Sequence, residues 1–234
     1  MEYISRKKVF KDPIFASFVS SWQDLENPTK NTIIEAGEYF DEDTETVRFF
    51  SKDELEKSLQ KDISNFKKTT DNLKKEDFEM VGKIVIDAPQ DTDEVLFLAE
   101  IMALFAKTHH LAYTFVPLFN VPWFHETIKG HHPSTKKAYS NFKKLIVEKD
   151  YSGGLLVSDY KVLQNMMPDY FNLVQGNYYG YNFFYAQNLK TVCSFHYSGQ
   201  IWFYIYSQDA IKKIESFINK HNLIINTQFT SYNI

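Results

Sequence analysis

Two runs of β-branched and aromatic residues flank a Ser-Gly pair in Val192-Cys193-Ser194-Phe195-His196-Tyr197-Ser198-Gly199-Gln200-Ile201-Trp202-Phe203-Tyr204-Ile205-Tyr206. Such runs around a short turn predict a β-hairpin. We take Ser198 and Gly199 as a two-residue loop, which defines the residues that face each other across the two strands. The predicted pairs are Phe195 with Trp202 and Cys193 with Tyr204 on one side, and His196 with Ile201, Ser194 with Phe203 and Val192 with Ile205 on the other.

The residues before the hairpin extend it into a sheet. The segment Tyr181-Asn182-Phe183-Phe184-Tyr185-Ala186 has strand composition, and a loop at Gln187-Asn188 separates it from the hairpin. We therefore predict a three-stranded antiparallel meander. Because neither face of this meander is plainly polar, we expect helices on one side and either more of the chain or a partner on the other.

Amphipathic periodicity and capping residues predict the remaining helices. The first helix is expected to begin at Pro13, and the second to span 52–69 after a Ser51-to-Glu54 capping box. A buried helix is expected to follow Asp91 or Thr92, and another to span 135–149 after Ser134. The last two are expected from Asp159 to Pro168, with a further turn or two at 169–174, and over 208–221. Short strands are expected at 47–50, 83–88, 111–118 and 155–157. Together these elements predict an α+β fold with an antiparallel or mixed sheet and helices packed mainly on one face.

Composition narrows the class of protein. The chain has 234 residues, of which 44% are hydrophobic, and this is enough for a proper core. We predict a single domain over 1–234, with a subdomain boundary near 150 as the alternative. A net charge of −4 argues against a large nucleic-acid footprint. No segment has the length of an apolar membrane span, and the N-terminus lacks a signal-type segment. A lone cysteine, Cys193, excludes an intramolecular disulfide, so we predict a cytoplasmic protein.

Five of the seven histidines lie between residues 109 and 132, close to a glutamate. Imidazole and carboxylate groups are common zinc ligands, so His109, His125, Glu126 and His131 are candidate metal ligands. The spacing after His125-Glu126 does not match the helical His-Glu-x-x-His motif. In the alternative interpretation, His109 interacts with the negative end of a helix and the other histidines lie on a surface loop.

Cys193, His196 and either Asp159 or Asp169 provide the side-chain types of a nucleophile, a base and an orienting acid. Positions 193 and 196 lie on opposite faces of a strand, however, and a cysteine on an aromatic strand is usually a small core residue. No catalytic residue is therefore predicted.

The acidic turn Asp41-Glu42-Asp43-Thr44-Glu45 resembles the start of a calcium loop. The glycine expected at the sixth position and the glutamate expected at the twelfth are replaced by Thr46 and Lys52. We interpret it as a solvated turn, with Asp41 and Asp43 as candidate contacts for a basic partner.

The aromatic residues of the late segment provide the other candidate binding groups, since tyrosine and tryptophan are enriched at protein interfaces. These candidates are Tyr178, Tyr179, Tyr181, Trp202 and Tyr204. We predict a non-enzymatic cytoplasmic protein that binds another protein and needs no cofactor. More specifically, we predict a bacterial toxin-neutralising, immunity-type protein. Neither nucleic acid nor membrane is an expected partner, and no oligomeric state is predicted. The alternative is a metal-dependent enzyme or small-ligand-binding domain that uses the segment from His109 to His132.

Overall fold

The structure, a computed structural model, describes residues 1–31, 38–41, 46–124, 128–146, 150–176 and 182–233. The elements follow the chain in this order: β1 (Glu2–Ile4), α1 (Arg6–Val9), α2 (Pro13–Leu25), α3 (Pro28–Asn31), β2 (Glu38–Asp41), β3 (Thr46–Phe49), α4 (Lys52–Thr69), β4 (Gly82–Asp87), α5 (Glu94–His109), β5 (Tyr113–Pro117), α6 (Pro133–Leu145), β6 (Gly154–Val157), α7 (Tyr160–Gln175), β7 (Asn182–Ala186), β8 (Thr191–His196), β9 (Gln200–Ile205), α8 (Gln208–His221), β10 (Ile224–Ile225) and β11 (Ser231–Tyr232).

A nine-stranded antiparallel sheet is the centre of the molecule. Its strands lie in the order β1-β6-β5-β7-β8-β9-β4-β10, and β11 also pairs with β4. Strands from before and after residue 150 share this sheet, while β2 and β3 form a separate hairpin. The predicted α+β fold with an antiparallel sheet is confirmed.

The predicted meander is present as β7, β8 and β9, but the predicted hairpin register is wrong by one residue. His196 pairs with Gln200 and Phe195 with Ile201, so the loop has three residues rather than two. Gly199 closes this loop at φ +75°, and its N–H donates to the carbonyl of His196. A three-residue loop that ends in a left-handed glycine is a common hairpin connection.

The shift changes which side chains share a face of the sheet, because neighbouring residues of a strand point to opposite sides. Cys193 and Phe195 face the same side as Ile201 and Phe203, whereas Trp202 faces the opposite side. The predicted pairs of Phe195 with Trp202 and of Cys193 with Tyr204 do not occur.

One face of the sheet packs against α5, α6, α7 and α8, and this layer contains the main core. Phe171 of α7 stacks on Phe195 of β8 at 4.4 Å between ring centroids, and Phe105 of α5 meets Phe203 of β9 at 5.9 Å. α8 spans the predicted residues and buries the predicted stripe, which includes Ile211, Ile214, Phe217 and Ile218. Helices pack mainly on this face, as predicted.

Helix α7 differs from its prediction because it continues through Pro168 to Gln175. Proline disrupts a helix interior by removing an N–H donor. Here the buried residues of the helix lie on both sides of the proline, for example Leu163 before it and Phe171 after it. Burial of the second half against the sheet outweighs the local preference for a break.

The ends of two other helices differ from prediction. α6 begins at Pro133 and ends at Leu145, with His132 rather than Ser134 as its N-cap. For α5 the cap is Asp93, not Asp91 or Thr92. The predicted capping box of α4 is confirmed: Ser51 accepts a hydrogen bond from the Glu54 N–H, and the Glu54 carboxylate accepts one from the Ser51 N–H.

On the opposite face, α1 and α2 cover one half of the sheet. Phe15 stacks on Tyr185 at 4.9 Å, and Phe18 meets Phe183 edge-on at 4.9 Å. These contacts form a second, smaller core around β5, β7 and β8.

Arg6 anchors the N-terminal segment to this second core. Its side chain is buried and forms a bidentate ion pair with Asp71, in which the Arg6 Nε lies 2.9 Å from Oδ1. The remaining N–H groups donate to the carbonyls of Pro117, Leu118 and Ser152. All five donors of the guanidinium are thus used, which is the condition for burying this charge at acceptable cost.

Candidate functional site

The half of the second face that α1 and α2 leave open is formed by β9, β4 and the outer end of β8. Its exposed or half-buried rings are His196, Tyr197, Trp202, Tyr204 and Phe229, which we call the aromatic patch. Side chains at alternate positions of a strand point to the same side, so β9 brings Trp202 and Tyr204 together on this face. Tyr197, in the hairpin loop, is 69% exposed, and Phe229, in the loop between β10 and β11, is 37% exposed.

Trp202 is the centre of the aromatic patch. Its ring stacks on Phe229 at 5.4 Å, and the Lys83 ammonium lies 4.9 Å from the ring centroid in a cation–π contact. His196 lies 5.7 Å away on the next strand. Such an arrangement leaves part of a large aromatic surface available at a defined position.

A chain of side-chain hydrogen bonds fixes the tryptophan and the loop above it. The Trp202 indole N–H donates to Gln200 at 3.1 Å, and the Gln200 amide donates to Asp87 at 2.8 Å. Asn226 also donates to Asp87, while its own side-chain oxygen accepts from the backbone N–H of Phe229 at 3.2 Å. Asp87 therefore links the floor of the patch to the turn that positions Phe229.

A groove of about 520 Å³ continues from the aromatic patch toward α2. We call it the acidic groove; its aromatic lining includes Phe18, Trp22, Tyr204 and Tyr206, and its rim is the segment 75–80. Tyr204 belongs to both features and lies 5.0 Å from Phe18. The patch and the groove therefore form one continuous surface.

Burial shifts the pKa of three rings of this surface, Tyr204, Tyr206 and His196, in the direction that favours the neutral form. Burial raises the pKa of Tyr204 and of Tyr206 to about 12. Burial lowers the pKa of His196, whose Nδ1 lies 2.6 Å from the Ser198 hydroxyl. Loss of solvation disfavours the charged form of each group, so the surface offers uncharged donors and acceptors beside its rings.

The rim of the groove carries the charge. Glu76, Asp77 and Glu79 are exposed and line it within four positions of each other. Glu76 pairs with Lys74 at 3.0 Å. Within the described ranges, Asp77 and Glu79 form no ion pair. The negative field of the groove is thus only partly compensated.

The two described candidate histidines, His109 and His131, contact different parts of the main core. His109 ends α5 and packs against Phe105 at 4.8 Å, and its buried Nε2 has no hydrogen-bond partner among the described residues. His131 lies before α6, with Nδ1 3.0 Å from the carbonyl of Gly176. His109 also packs against Phe217 of α8 at 6.2 Å, so it contacts α8, whereas His131 contacts the end of α7.

His125 and Glu126 lie outside the described residues. In the remaining chain, no group of three or more His, Cys, Asp or Glu side chains is arranged to hold a metal ion. The described members of the predicted metal site therefore provide no ligand cluster on their own.

Cys193 and His196 lie on opposite faces of β8, as the alternation of a strand requires. The thiol is buried in the main core, and burial raises its pKa well above the ordinary value. Asp159 caps α7 by accepting from the Val162 N–H. These residues do not form a catalytic arrangement.

The predicted binding residues have different outcomes. Trp202 and Tyr204 lie together in the aromatic patch, and Asp41 ends β2 opposite Thr46 in the separate hairpin. Tyr178, Tyr179, Tyr181 and Asp43 lie outside the described residues. Lys83, Phe229 and the rim of the groove were not predicted, because the contacts that bring them to Trp202 and Tyr204 join segments far apart in sequence.

Comparison of the chain with protein-family models, with curated proteins and with solved structures gave no match in any of the three. In the described part of the chain, no helix combines the length and apolarity needed to cross a membrane.

Proposed function

We propose that this chain is a non-enzymatic binding protein that recognises another protein through the aromatic patch. The observation that supports this most directly is the partly exposed ring pair of Trp202 and Phe229. Both rings are held in place by hydrogen bonds that pass through Asp87 rather than by burial in the core.

The energetic argument rests on preorganisation. Tryptophan and tyrosine dominate the binding energy of many protein interfaces because they add contact area with few rotatable bonds. A ring that is already fixed loses little entropy on binding. Trp202 is fixed in this way, since Gln200 holds its indole N–H and Phe229 covers one ring face.

The concrete form of the proposal is a cytoplasmic, bacterial, immunity-type protein that neutralises a toxin. The acidic net charge and the partly uncompensated groove suit a partner that presents basic groups. An inhibitor of this kind has to cover a site on its partner, and the patch with the groove provides a surface for doing so.

Co-purification from the source organism tests the proposal. The native chain and a Trp202→Ala/Phe229→Ala variant are compared, with Phe49→Ala as a control because Phe49 is an exposed aromatic residue outside the patch. We expect one partner to be retained by the native chain and by the control and lost by the double variant. Equal recovery from all three would overturn the use of this surface.

The immunity-type form has a stricter test. The captured partner is expressed in a bacterial host with each variant. We expect growth inhibition by the partner alone, rescue by the native chain and by Phe49→Ala, and no rescue by Trp202→Ala/Phe229→Ala. A partner that leaves growth unaffected would count against toxin neutralisation while leaving protein binding in place.

A further inference from the structure

We infer that the acidic groove receives an arginine side chain from a basic segment of the partner protein. The inference rests on the proposed function and adds the chemistry of the partner. It follows from the combination of an aromatic lining with two rim carboxylates, those of Asp77 and Glu79, that have no cationic partner in the described part of the chain.

The lining provides the first half of the argument. Trp22 of α2 and Tyr204 and Tyr206 at the end of β9 present rings to the groove. The face of an aromatic ring attracts a cation, and arginine uses such faces more often than lysine because its planar guanidinium stacks on them. The neighbouring pair of Lys83 and Trp202 shows that this fold already stabilises a cation against a ring on the same face of the sheet.

The rim provides the second half. Asp77 and Glu79 line the groove and have no cationic partner among the described residues, while Lys75 is directed to Asp24 at a distance of 4.0 Å. A guanidinium that enters the groove finds carboxylates at its edge, and a carboxylate can accept two parallel hydrogen bonds from it.

The hydroxyl groups fit the same ligand. Phenols are protonated at pH 7, and burial raises the pKa of Tyr204 and of Tyr206 further, to about 12, so their oxygens can accept hydrogen bonds from guanidinium N–H groups without adding negative charge. An acidic or phosphorylated ligand would meet Glu76, Asp77 and Glu79 and be repelled.

The open shape of the groove favours an extended protein segment over a compact ion as its ligand. The groove is open and continuous with the aromatic patch through Tyr204, so a chain that places arginine in the groove continues over Trp202. The patch then contacts the apolar residues that flank the arginine.

The test uses a capped peptide, Gly-Arg-Tyr-Arg-Gly, and a matched peptide in which citrulline replaces both arginines. Citrulline keeps the shape of arginine and removes its charge. Binding to the full chain is followed by the NMR signal of the Trp22 indole N–H and of the amides of 76–79. We expect the arginine peptide to shift these signals and the citrulline peptide to bind about tenfold more weakly.

Charge variants supply the control. Asp77→Asn/Glu79→Gln is compared with Asp91→Asn/Glu100→Gln, which removes the same charge from exposed positions in α5 and the loop before it. We expect about a tenfold loss of affinity only for the groove variant, and a loss that shrinks as salt is added. Equal binding of both peptides, no shift of the Trp22 signal at millimolar peptide, or equal effects of the two double variants would each overturn the inference.

The same variants separate this inference from the proposed function. If the natural partner is lost with Trp202→Ala/Phe229→Ala but retained at full affinity with Asp77→Asn/Glu79→Gln, the binding function stands and the arginine assignment is wrong. Loss of the partner with both double variants supports both the binding function and the arginine assignment.

Discussion

The two faces of the large sheet use aromatic residues in opposite ways. On the face covered by α5 to α8, Phe171 and Phe195 stack in the interior and are nearly inaccessible to solvent. On the open half of the other face, Trp202 and Phe229 also stack, but they remain partly exposed and are held by polar contacts. Aromatic composition therefore does not distinguish a core from a binding surface. The distinction depends on which neighbours the fold brings above each ring.

The largest contrast between the two faces is expected for stability. Phe171→Ala removes a ring that fills the interface between α7 and β8, and we expect a loss of about 4 kcal/mol in the free energy of unfolding. Urea denaturation followed by circular dichroism measures this loss. Phe171→Leu, which keeps most of the volume, should cost clearly less, and a similar cost for both variants would contradict the packing explanation.

The second prediction concerns the smaller core, where a buried charge replaces part of the apolar packing. Asp71→Asn leaves the Arg6 guanidinium buried with its ionic partner removed, so we expect a loss of about 3 kcal/mol. Lys8→Gln is the control, because it breaks an exposed ion pair with Glu2 and should have little effect. If both substitutions cost the same in urea denaturation, Arg6 does not anchor the N-terminal segment.

These contrasts show what the sequence could and could not predict. Local signals were sufficient for α8 and for the Ser51 cap of α4, because periodicity and capping act within a few residues. The short strands at the sheet edges were not predicted, since β1 and β10 have two or three residues and form only by pairing with distant strands. The burial of Arg6 was not predicted for the same reason. A basic N-terminal segment is typically solvated, and the burial of Arg6 depends on its contact with the distant Asp71.

The aromatic patch was predicted only in part. Trp202 and Tyr204 share a face because of strand alternation, which the sequence contains. Phe229 reaches Trp202 through contacts of its loop with β4, which include the pairing of β10 and β11 with that strand and the hydrogen bond between Asn226 and Asp87, 139 positions apart. The hairpin register also could not be decided, because Tyr197-Ser198-Gly199 fits both a two-residue loop and a three-residue loop.

The hairpin loop determines which rings face the core, so the third prediction tests it. Gly199→Ala places a side chain at φ +75°, a left-handed conformation that costs about 1 to 2 kcal/mol for a residue with a Cβ. Asparagine tolerates this conformation better, so Gly199→Asn should cost less. Thermal unfolding measures the stability loss of both variants. If the loop had two residues and Gly199 had another φ, Gly199→Asn would not be less destabilising than Gly199→Ala.

The fourth prediction sharpens the contrast between patch and core. Trp202→Ala removes a large ring, but the ring is only partly buried, so we expect a loss of about 1 kcal/mol, far less than for Phe171→Ala. Partner binding should show the reverse order for residues of the patch. A loss for Trp202→Ala as large as for the core residue would mean that the patch is structural.

The smallest expected effect is a dependence on pH that arises from His109 on the covered face. Burial, followed by the nearby Lys213, lowers the pKa of His109, so the folded protein favours the neutral ring while the unfolded chain titrates near 6.5. Protons therefore bind the unfolded state more readily as the pH falls from 7 toward 5.5, and the free energy of unfolding decreases over this range. In His109→Phe this decrease should be smaller, because a ring between Phe105 and Phe217 is kept and the titrating group is removed.

His110→Asn is the matched control, since His110 is exposed in the adjacent left-handed position that asparagine accepts. Urea denaturation at pH 7.0, 6.2 and 5.5 compares the three chains, and an unchanged slope in His109→Phe would place the pH dependence elsewhere, with the half-buried His196 of the aromatic patch as the next residue to test.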